Sequence, residues 1–426
     1  MTCSTHSRLR RLWLLAATVA MAAAMPTTAA VLTWPGPSPC NAALQACIAA
    51  ATSGDIVEVA SNGPITESVE IFQKSLTLRA ATGFSPVLDT APSLDAIEAF
   101  GSDAVVAVTI EGMTVRGAFI GAYQGGSGAF SVQIHNNKLE ADGLDSNLSG
   151  INVATFGSSP TGPVDLVISN NEIALGFLAG DDISAIRIGD FPGHTTGLIM
   201  ANTVTHGGTA STLSAITLHN GIGTAEFDLR YNRVTASGYN GGILLRQDGS
   251  SGTMIARIVN NLVTGTIDYT GPQPGAISLL ANAGNLQATV LSNTLAGNDT
   301  GFIASVASGA TLGGVLANTL VTANTNQGVV IGAAAAVGFS NESNLVFGNG
   351  SNDFIAGPGT IQADPRVVGA GDFHPRSDSP VRDAGTTALA ADIPIDLDGA
   401  PRVIGPAIDI GAWELGDSIF VDGFDS

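Results

Sequence analysis

Six polar residues in the central part of the chain are of the types that acid–base chemistry needs. They lie on the outward positions of short strands, or directly after them: Asn152, Arg187, Asp190, His219, Arg246 and Asp248. A histidine can accept a proton near neutral pH, and an arginine can stabilise negative charge that develops in a reaction. Arg187, His219 and Arg246 are therefore predicted as the catalytic group. The three remaining residues are predicted to bind the reacting molecule.

Two neighbouring carboxylates, Asp181 and Asp182, come shortly before the Arg187 strand. With Asp190 they would supply the hard oxygen ligands that calcium prefers. Asp181 and Asp182 are the predicted metal ligands, and calcium is the predicted cofactor. The stretch 396–399 (DLDG) also begins like a calcium loop, but it lacks a glutamate at the EF-hand distance and is predicted to be a structural turn.

The strands that must position these residues form a repeat. An apolar-alternating phrase that ends in asparagine returns at intervals of about 25 to 34 residues. Its asparagines are Asn137, Asn171, Asn202, Asn232, Asn261, Asn293, Asn318 and Asn344. Asparagine tolerates the left-handed backbone of a sharp turn, and stacked turns would align these side chains in a hydrogen-bonded ladder.

A second strand precedes most of these phrases by about twenty residues. Its period-two pattern predicts one core residue per strand: Ile151, Ile186, Ile216, Ile243, Ile277, Phe302 and Val329. A third strand follows the asparagine. The predicted fold is therefore all-β, a right-handed parallel β-helix of about nine to ten three-strand coils with an N-terminal capping helix. That helix is predicted over 41–51 with Asn41 as its cap.

Composition agrees with this fold and narrows the partners. The chain has 426 residues, 53 glycines, few aromatic residues and a formal net charge of −20. An acidic surface argues against a nucleic acid or an anionic membrane as a partner. A polysaccharide partner, acidic or neutral, and a monomeric state are the predictions.

The first thirty residues are predicted to be a signal peptide. Three arginines precede an apolar run over 12–25, and small residues follow at 28–30. Since no later stretch is long and apolar enough to span a bilayer, no transmembrane segment is predicted in the mature chain. The protein is expected to be exported, to the cell surface or beyond. In that setting Cys40 and Cys47 are predicted to form a disulfide, with two buried thiols as the alternative.

The segment after the predicted helix resembles the first turn of the pectin-lyase-like right-handed parallel β-helix family. The matching residues are Ala50-Ala51, Gly54-Asp55-Ile56-Val57, Val59 and Ser75-Leu76-Thr77-Leu78-Arg79. This resemblance implies an amphipathic helix that plugs the open end of a solenoid spanning residues 31–360. In catalytic members of such families the active site lies on and beside the first strand of each coil. In this sequence Arg187 and His219 are on the first strands of two successive coils.

Residues 361–415 resemble a C-terminal module of exported bacterial β-helix proteins called a choice-of-anchor domain. The resemblance rests on the pieces Ala363-Asp364-Pro365, Asp383-Ala384-Gly385, Asp396-Leu397-Asp398-Gly399, Pro401-Arg402 and Asp409-Ile410-Gly411-Ala412-Trp413-Glu414. It implies a module that closes the last coil. Residues 416–426 are similar to C-terminal sorting tails, although a frayed acidic terminus explains them equally well.

Two classes of function fit these observations. A scaffold, adhesin-like or glycan-binding protein is the first hypothesis, because the outward face carries few chemical groups and because Lys74 and Lys138 lie off it. The alternative is a polysaccharide lyase that uses His219 with Arg187 or Arg246 on an acidic polysaccharide. A glycoside hydrolase is the weaker alternative: residues 180–182 (GDD) resemble a polygalacturonase motif, but the companion motifs are out of order.

Overall fold

The chain winds into a right-handed parallel β-helix of about ten turns with three parallel sheets. The structure is a computed structural model, and it describes residues 29–90, 95–117, 119–144, 149–157, 161–177, 184–189, 191–206, 211–237, 239–267, 275–352 and 354–416. Each complete turn contributes one strand to each sheet. The predicted fold class is therefore confirmed.

The twelve-stranded sheet contains the strands that precede the asparagine-ladder turn of each coil. Its described strands are Val31–Trp34, Ile56–Val59, Leu76–Ala80, Val106–Glu111, Phe130–His135, Val164–Ser169, His194–Met200, Thr224–Arg230, Thr253–Val259, Asn285–Leu291, Thr311–Ala317 and Phe339–Glu342.

The eleven-stranded sheet follows directly after that turn. Its described strands are Pro64–Ile65, Val87–Asp89, Thr114–Arg116, Lys138–Leu144, Glu172–Phe177, Thr203–His206, Arg233–Thr235, Leu262–Thr264, Thr294–Ala296, Leu320–Thr322 and Leu345–Phe347.

The ten-stranded sheet carries the predicted chemistry. Its described strands are Val69–Phe72, Asp95–Phe100, Phe119–Gln124, Ile151–Thr155, Ile186–Gly189, Ser211–Asn220, Tyr239–Gln247, Gly275–Ala281, Thr300–Val306 and Gln327–Ile331. The seven predicted core residues of this sheet are all buried, with at most 3% of their surface exposed. The period-two pattern thus identified the inward face correctly.

The structure contains the predicted asparagine ladder, but one of the predicted residues, Asn318, does not belong to it. From Asn171 to Asn293, each ladder Oδ1 accepts hydrogen bonds from the backbone N–H and the side-chain amide of the asparagine one turn earlier, at 2.9 to 3.1 Å. Asn137 Oδ1 accepts the Met113 N–H instead. The next position is held by Thr319, whose Oγ1 accepts the Asn293 N–H, and Asn344 Oδ1 then accepts the Thr319 N–H. The prediction for Asn318 is wrong, because Asn318 lies one residue before the ladder.

The left-handed turn residue also differs from the prediction. Positive φ occurs at the residue before each ladder position, as at Asn136, Asn170 and Asn260, and not at the ladder residue itself. Gly112 takes the corresponding place in an earlier turn with φ 71°. The ladder asparagines therefore satisfy buried backbone groups, while their predecessors make the bend.

The N-terminal helix is shorter than predicted and spans Leu44–Ala50. Asn41 does not cap it. The carboxylate of Glu67 accepts the free N–H groups of Leu44 and Gln45, at 2.6 and 3.2 Å, so a residue from the first full coil provides the cap. Leu44, Cys47 and Ile48 are buried in the continuous core. The sulfurs of Cys40 and Cys47 are bonded in the structure, with their Cα atoms 4.4 Å apart.

Residues 361–416, here called the C-terminal segment, run back along one flank of the solenoid. The segment contains the hairpin Val367–Gly369 and Asp372–Pro375, with 3-10 turns at Ala335–Val337 before it and Thr387–Ala390 within it. Ile361 adds one bridge to the last strand of the eleven-stranded sheet. Most of the segment then contacts the flank rather than closing the last coil, which differs from the expectation.

The flank contacts reach several turns back. Asn318 exchanges two hydrogen bonds with the backbone of Thr386, at 2.7 and 3.1 Å, and Thr294 Oγ1 accepts the Ala412 N–H. Ion pairs join Arg233 to Asp398 and Arg257 to Asp392. Among the described residues, no helix is long and apolar enough to cross a membrane.

Candidate functional site

The outer face of the ten-stranded sheet presents two columns of side chains, because residues two apart on a strand point the same way. In one column, strand register aligns Glu70, Glu98, Gly121, Asn152, Arg187 and Thr217. In the other it aligns Phe72, Phe100, Tyr123, Ala154, and, farther along, Gly189, His219 and Arg246. The predicted catalytic residues therefore share one surface.

Arg187 lies next to Asn152 on neighbouring strands of the first column. Its side chain is half-buried, and it makes no ion pair with any residue in the described ranges. His219 is on the following strand, in register with Gly189, which is two residues after Arg187. Arg187 is thus a cation on the face whose charge no described neighbour neutralises.

His219 and Arg246 are held by one carboxylate. Asp248 Oδ2 lies 2.6 Å from His219 Nε2 and 2.7 Å from Arg246 Nε. Asn282 Nδ2 donates to the other oxygen of Asp248 at 2.8 Å. Burial disfavours the charged form of Asp248, but the hydrogen bonds from Arg246 and Asn282 and the two nearby positive groups outweigh it, so the pKa of Asp248 is lowered. Asp248 is therefore a carboxylate at neutral pH that orients both partners.

The predicted metal ligands Asp181 and Asp182, and the predicted binding residue Asp190, lie outside the described residues. Within the described ranges, no group of three or more His, Cys, Asp or Glu side chains is placed to hold a metal ion. Calcium binding therefore stays a prediction from the sequence. The turn at 396–399 is built as predicted: Asp396 Oδ1 accepts the N–H groups of Asp398 and Ala400.

A strip of four aromatic rings lies on the same face, toward the N-terminal end. We call Phe72, Phe100, Tyr123 and Phe156 the ring strip. The centroid of Phe100 is 5.8 Å from Phe72, 5.4 Å from Tyr123 and 5.4 Å from Phe156. Phe72 is 54% exposed and Phe156 58% exposed. Large exposed aromatic side chains that touch one another indicate a binding surface.

Gly121 allows the tyrosine of this strip to take its position. A Cβ atom at Gly121 would lie 2.5 Å from a ring carbon of Tyr123 and 2.7 Å from Asp95 Oδ2. Because the glycine leaves this space open, the Tyr123 hydroxyl donates to Asp95 Oδ2 at 2.6 Å. Burial and this hydrogen bond raise the pKa of Tyr123, so the hydroxyl stays protonated.

Three carboxyl groups border the ring strip: Glu70, Asp95 and Glu98. Burial, the charge and hydrogen bonding of Asp95 and the charge of Glu70 raise the pKa of Glu98 to about 7. Burial also raises the pKa of Asp95, although hydrogen bonds from Tyr123 and Glu98 partly oppose this. Three carboxyl groups are therefore crowded here, Glu98 is only partly ionised at neutral pH, and none of the three forms an ion pair with a described residue.

The sequence-based prediction did not include the ring strip, since the aromatic residues of the chain looked scattered. The signal was present as a repeated pair. Strands Val69–Phe72 and Asp95–Phe100 both contain glutamate, one apolar residue and phenylalanine, at 70–72 and 98–100. Only the register of the strands shows that the two pairs, and Tyr123 after them, stack on one face.

Comparison with known proteins adds solved structures but no sequence relatives. No protein-family model matches the sequence, and no curated protein matches it significantly. The pectate lyase Pel9A has a TM-score of 0.47 at 12% identity, over 91% of this chain and 97% of its own. A mutant of the PL6 family alginate lyase AlyGC has a TM-score of 0.45 at 14% identity, over 93% of this chain.

This chain spans only 59% of the length of that alginate lyase structure. A polygalacturonase from Erwinia carotovora ssp. carotovora has a TM-score of 0.25 at 10% identity, over 78% of this chain and 98% of its own. Similarity at these levels concerns the solenoid fold and does not extend to activity or substrate.

Proposed function

We propose that this protein is an exported polysaccharide-binding β-helix protein that holds its ligand on the outer face of the ten-stranded sheet. The observation that carries the proposal is the ring strip, a row of touching aromatic rings on four successive turns whose two end members, Phe72 and Phe156, are exposed. Sugar rings pack on such faces through their apolar C–H surfaces. The described contacts of the C-terminal segment lie on the other two sheets, which leaves this face for a ligand.

The length and direction of the face suit a chain rather than a single sugar. Strands of neighbouring turns are about 4.8 Å apart, so the ring strip from Phe72 to Tyr123 spans about 10 Å. Asn152 continues the surface, since its Nδ2 lies 3.5 Å from the Tyr123 hydroxyl, and Arg187 follows on the next strand. A polysaccharide lying along the solenoid axis would meet rings first and charged groups next.

Affinity electrophoresis through gels that contain single polysaccharides tests this proposal. We expect at least one polysaccharide to retard the protein, and the double variant Phe72→Ala/Phe156→Ala to lose that retardation. Phe84→Ala serves as the control, because Phe84 is also a partly exposed phenylalanine but lies in a turn away from the strip. Retardation that survives the double variant, or its absence for every polysaccharide, would refute the proposal.

The second candidate is a polysaccharide lyase, and two specific observations favour it. Arg187 has no anionic partner among the described residues, and His219 is oriented by Asp248. A cation near a histidine can stabilise a uronate while its neighbouring proton is removed. Against this, the Nε2 atom of His219 and the Nε atom of Arg246 are already engaged by Asp248.

Absorbance of unsaturated uronate products separates the two candidates. The protein is incubated with pectate, alginate and chondroitin, with and without calcium. Arg116→Ala is the control, because it removes an exposed arginine of the eleven-stranded sheet. Product formation that is lost in Arg187→Ala and kept in Arg116→Ala would establish the lyase. No product in any mixture would remove it as a candidate and leave binding without cleavage.

A further inference from the structure

We infer that the ring strip selects a polysaccharide that carries protonated amino groups, such as a chain of deacetylated amino sugars. This inference rests on the proposed function and deepens it by naming the ligand class. It implies that the two ends of the outer face bind ligand groups of opposite charge. Three carboxyl groups border the ring strip, whereas the part of the face that contains Arg187 carries a cation.

The first step is the charge around the rings. Glu70 and Glu98 face outward on adjacent strands in direct register, and Asp95 lies beside Glu98. None of the three forms an ion pair within the described part of the chain, although ion pairs occur along both other sheets, as at Arg79 with Glu58 and Arg116 with Glu140. A uronate sugar would add a further negative charge to this group and would be repelled.

The second step is the hydrogen-bonding capacity of the same group. Asp95 Oδ1 and Asn152 Oδ1 are both buried acceptors that have no hydrogen-bond donor among the described residues when the carboxyls are ionised. These two atoms have almost no exposed surface, so the acceptors that a ligand can reach are the carboxylate oxygens of the half-buried Glu70 and Glu98. An ammonium group brings three N–H donors and no acceptor, so it matches this set, while a carboxylate brings acceptors alone.

The third step is the aromatic surface. Phe72, Phe100 and Tyr123 present faces and edges next to Glu70 and Glu98. The face of an aromatic ring attracts a cation, because its π-electrons carry negative charge there. The rings and the carboxylates on this surface therefore both attract a protonated amino sugar. A uronate sugar could still pack on the rings, but the carboxylates would repel it. The net charge of −20 over the whole chain adds to the attraction of a cationic polymer.

Isothermal titration with three hexasaccharides of matched length tests the inference: hexaglucosamine, its fully N-acetylated form and hexagalacturonate. At pH 6 the amines are protonated. Glu98, whose pKa is raised to about 7 in the free protein, is expected to lose its proton when an ammonium group binds beside it, because an opposite charge favours the ionised carboxylate. We expect hexaglucosamine to bind at least tenfold more tightly than either of the others, and its affinity to fall as salt is raised from 20 to about 200 mM. Equal affinities, or a preference for hexagalacturonate, would overturn the inference.

Two variants locate the effect. Glu70→Gln/Glu98→Gln keeps the shapes of the side chains and should reduce the affinity for hexaglucosamine at least tenfold, with binding of the acetylated hexamer unchanged. Glu226→Gln is the matched control, since Glu226 is an exposed glutamate on the outer face of the twelve-stranded sheet. Unchanged hexaglucosamine binding in the double variant would also overturn the inference.

Failure of the inference differs from failure of the proposed function. If the protein binds an acidic or neutral polysaccharide through the ring strip, polysaccharide binding stands and amine selection is refuted. If no polysaccharide binds at all, both are refuted. The circular dichroism spectrum of each variant shows whether the solenoid is intact before its affinity is compared.

Discussion

At the scale of single residues, the ladder position decides whether a turn can close. The ladder residue is buried and saturates backbone groups of the turn before it. Asn232 Nδ2, for example, donates to the carbonyl of Ile199 and to Asn261 Oδ1, both at 2.9 Å, and Asn232 Oδ1 accepts two bonds from Asn202. Thr319 performs part of this task with its hydroxyl. The position therefore requires a polar side chain that can both donate and accept.

We expect Asn232→Ala to lower the free energy of unfolding by about 2 to 4 kcal/mol, because it leaves the Asn202 amide groups and the Ile199 carbonyl unsatisfied in the core. Asn232→Thr should cost less, since threonine already serves at position 319. Urea unfolding followed by circular dichroism measures both. Asn285→Ala, whose bonds are exposed, should change the value by no more than about 0.5 kcal/mol. Equal effects of the alanine and threonine variants would contradict this account.

The error at Asn318 shows where prediction from the sequence stops at this scale. The strings at 293–295 and 318–320 both read Asn-Thr-Leu, so matching letters aligned Asn293 with Asn318. The strand register instead pairs Thr294 with Leu320, one residue away. The register between two strands is set by how their inward-facing side chains pack. A short identical tripeptide does not reveal that packing.

At the scale of elements, the C-terminal segment is held together by one buried charge. Arg402 is fully buried, and its Nη atoms donate to the carbonyls of Asp409, Gly411 and Trp413 and to Glu414. The Glu414 carboxylate accepts the N–H groups of Ile404 and Asp409 in turn. The Pro-Arg and Trp-Glu pieces that marked this segment in the sequence are therefore the two sides of a single ion pair.

We expect Arg402→Met to destabilise the C-terminal segment by about 3 to 5 kcal/mol, because the substitution leaves Glu414 buried without its partner. Limited proteolysis should then cleave within 361–416 while the solenoid stays resistant. Arg366→Met is the control: its ion pair with Asp378 is exposed, so its loss should have an effect of no more than about 1 kcal/mol. Resistance of the Arg402→Met segment equal to that of the control would show that the buried pair is not what holds it.

The elements also differ in how well the sequence predicted them. The solenoid could be predicted because every turn repeats one pattern of apolar residues, and the inward residues followed from it. The ring strip could not, because its members are separated by 23 to 33 residues and come together only through register and through the space left by Gly121. The path of the C-terminal segment could not be predicted either, since it depends on contacts with side chains such as Asn318 and Arg257 that its own sequence does not contain.

At the scale of the whole molecule, the solenoid is supported unevenly. The C-terminal segment contacts turns between about residues 231 and 345 through apolar clusters, ion pairs and hydrogen bonds. In the described ranges, the turns before residue 231 make no hydrogen bond or ion pair with the C-terminal segment. In a repeat protein, stability is approximately a sum of local and nearest-neighbour terms, so an added interface should raise the stability of the turns it touches.

We expect amide hydrogen exchange at least tenfold slower in the strands within 253–317 than in those within 106–169, because the C-terminal segment restrains the former. The triple variant Arg233→Ala/Arg257→Ala/Asn318→Ala weakens docking and should remove most of the difference. Arg79→Ala/Arg116→Ala, which breaks two ion pairs away from the segment, should not. A difference that persists unchanged in the triple variant would assign it to the turns themselves.

The path of the C-terminal segment also bears on how the chain reaches its fold. Turns of the solenoid join residues about 30 positions apart, so they can form one after another as the chain lengthens. Flank docking joins residues much farther apart: Arg233 to Asp398 across 165 positions and Thr294 to Ala412 across 118. High sequence separation slows folding, because loop closure must precede the contact. We therefore expect the turns of the solenoid to form fast and docking of the C-terminal segment to be the slow last step. Newly made chains should then pass through an intermediate in which the solenoid is formed but the C-terminal segment is not yet docked on its flank.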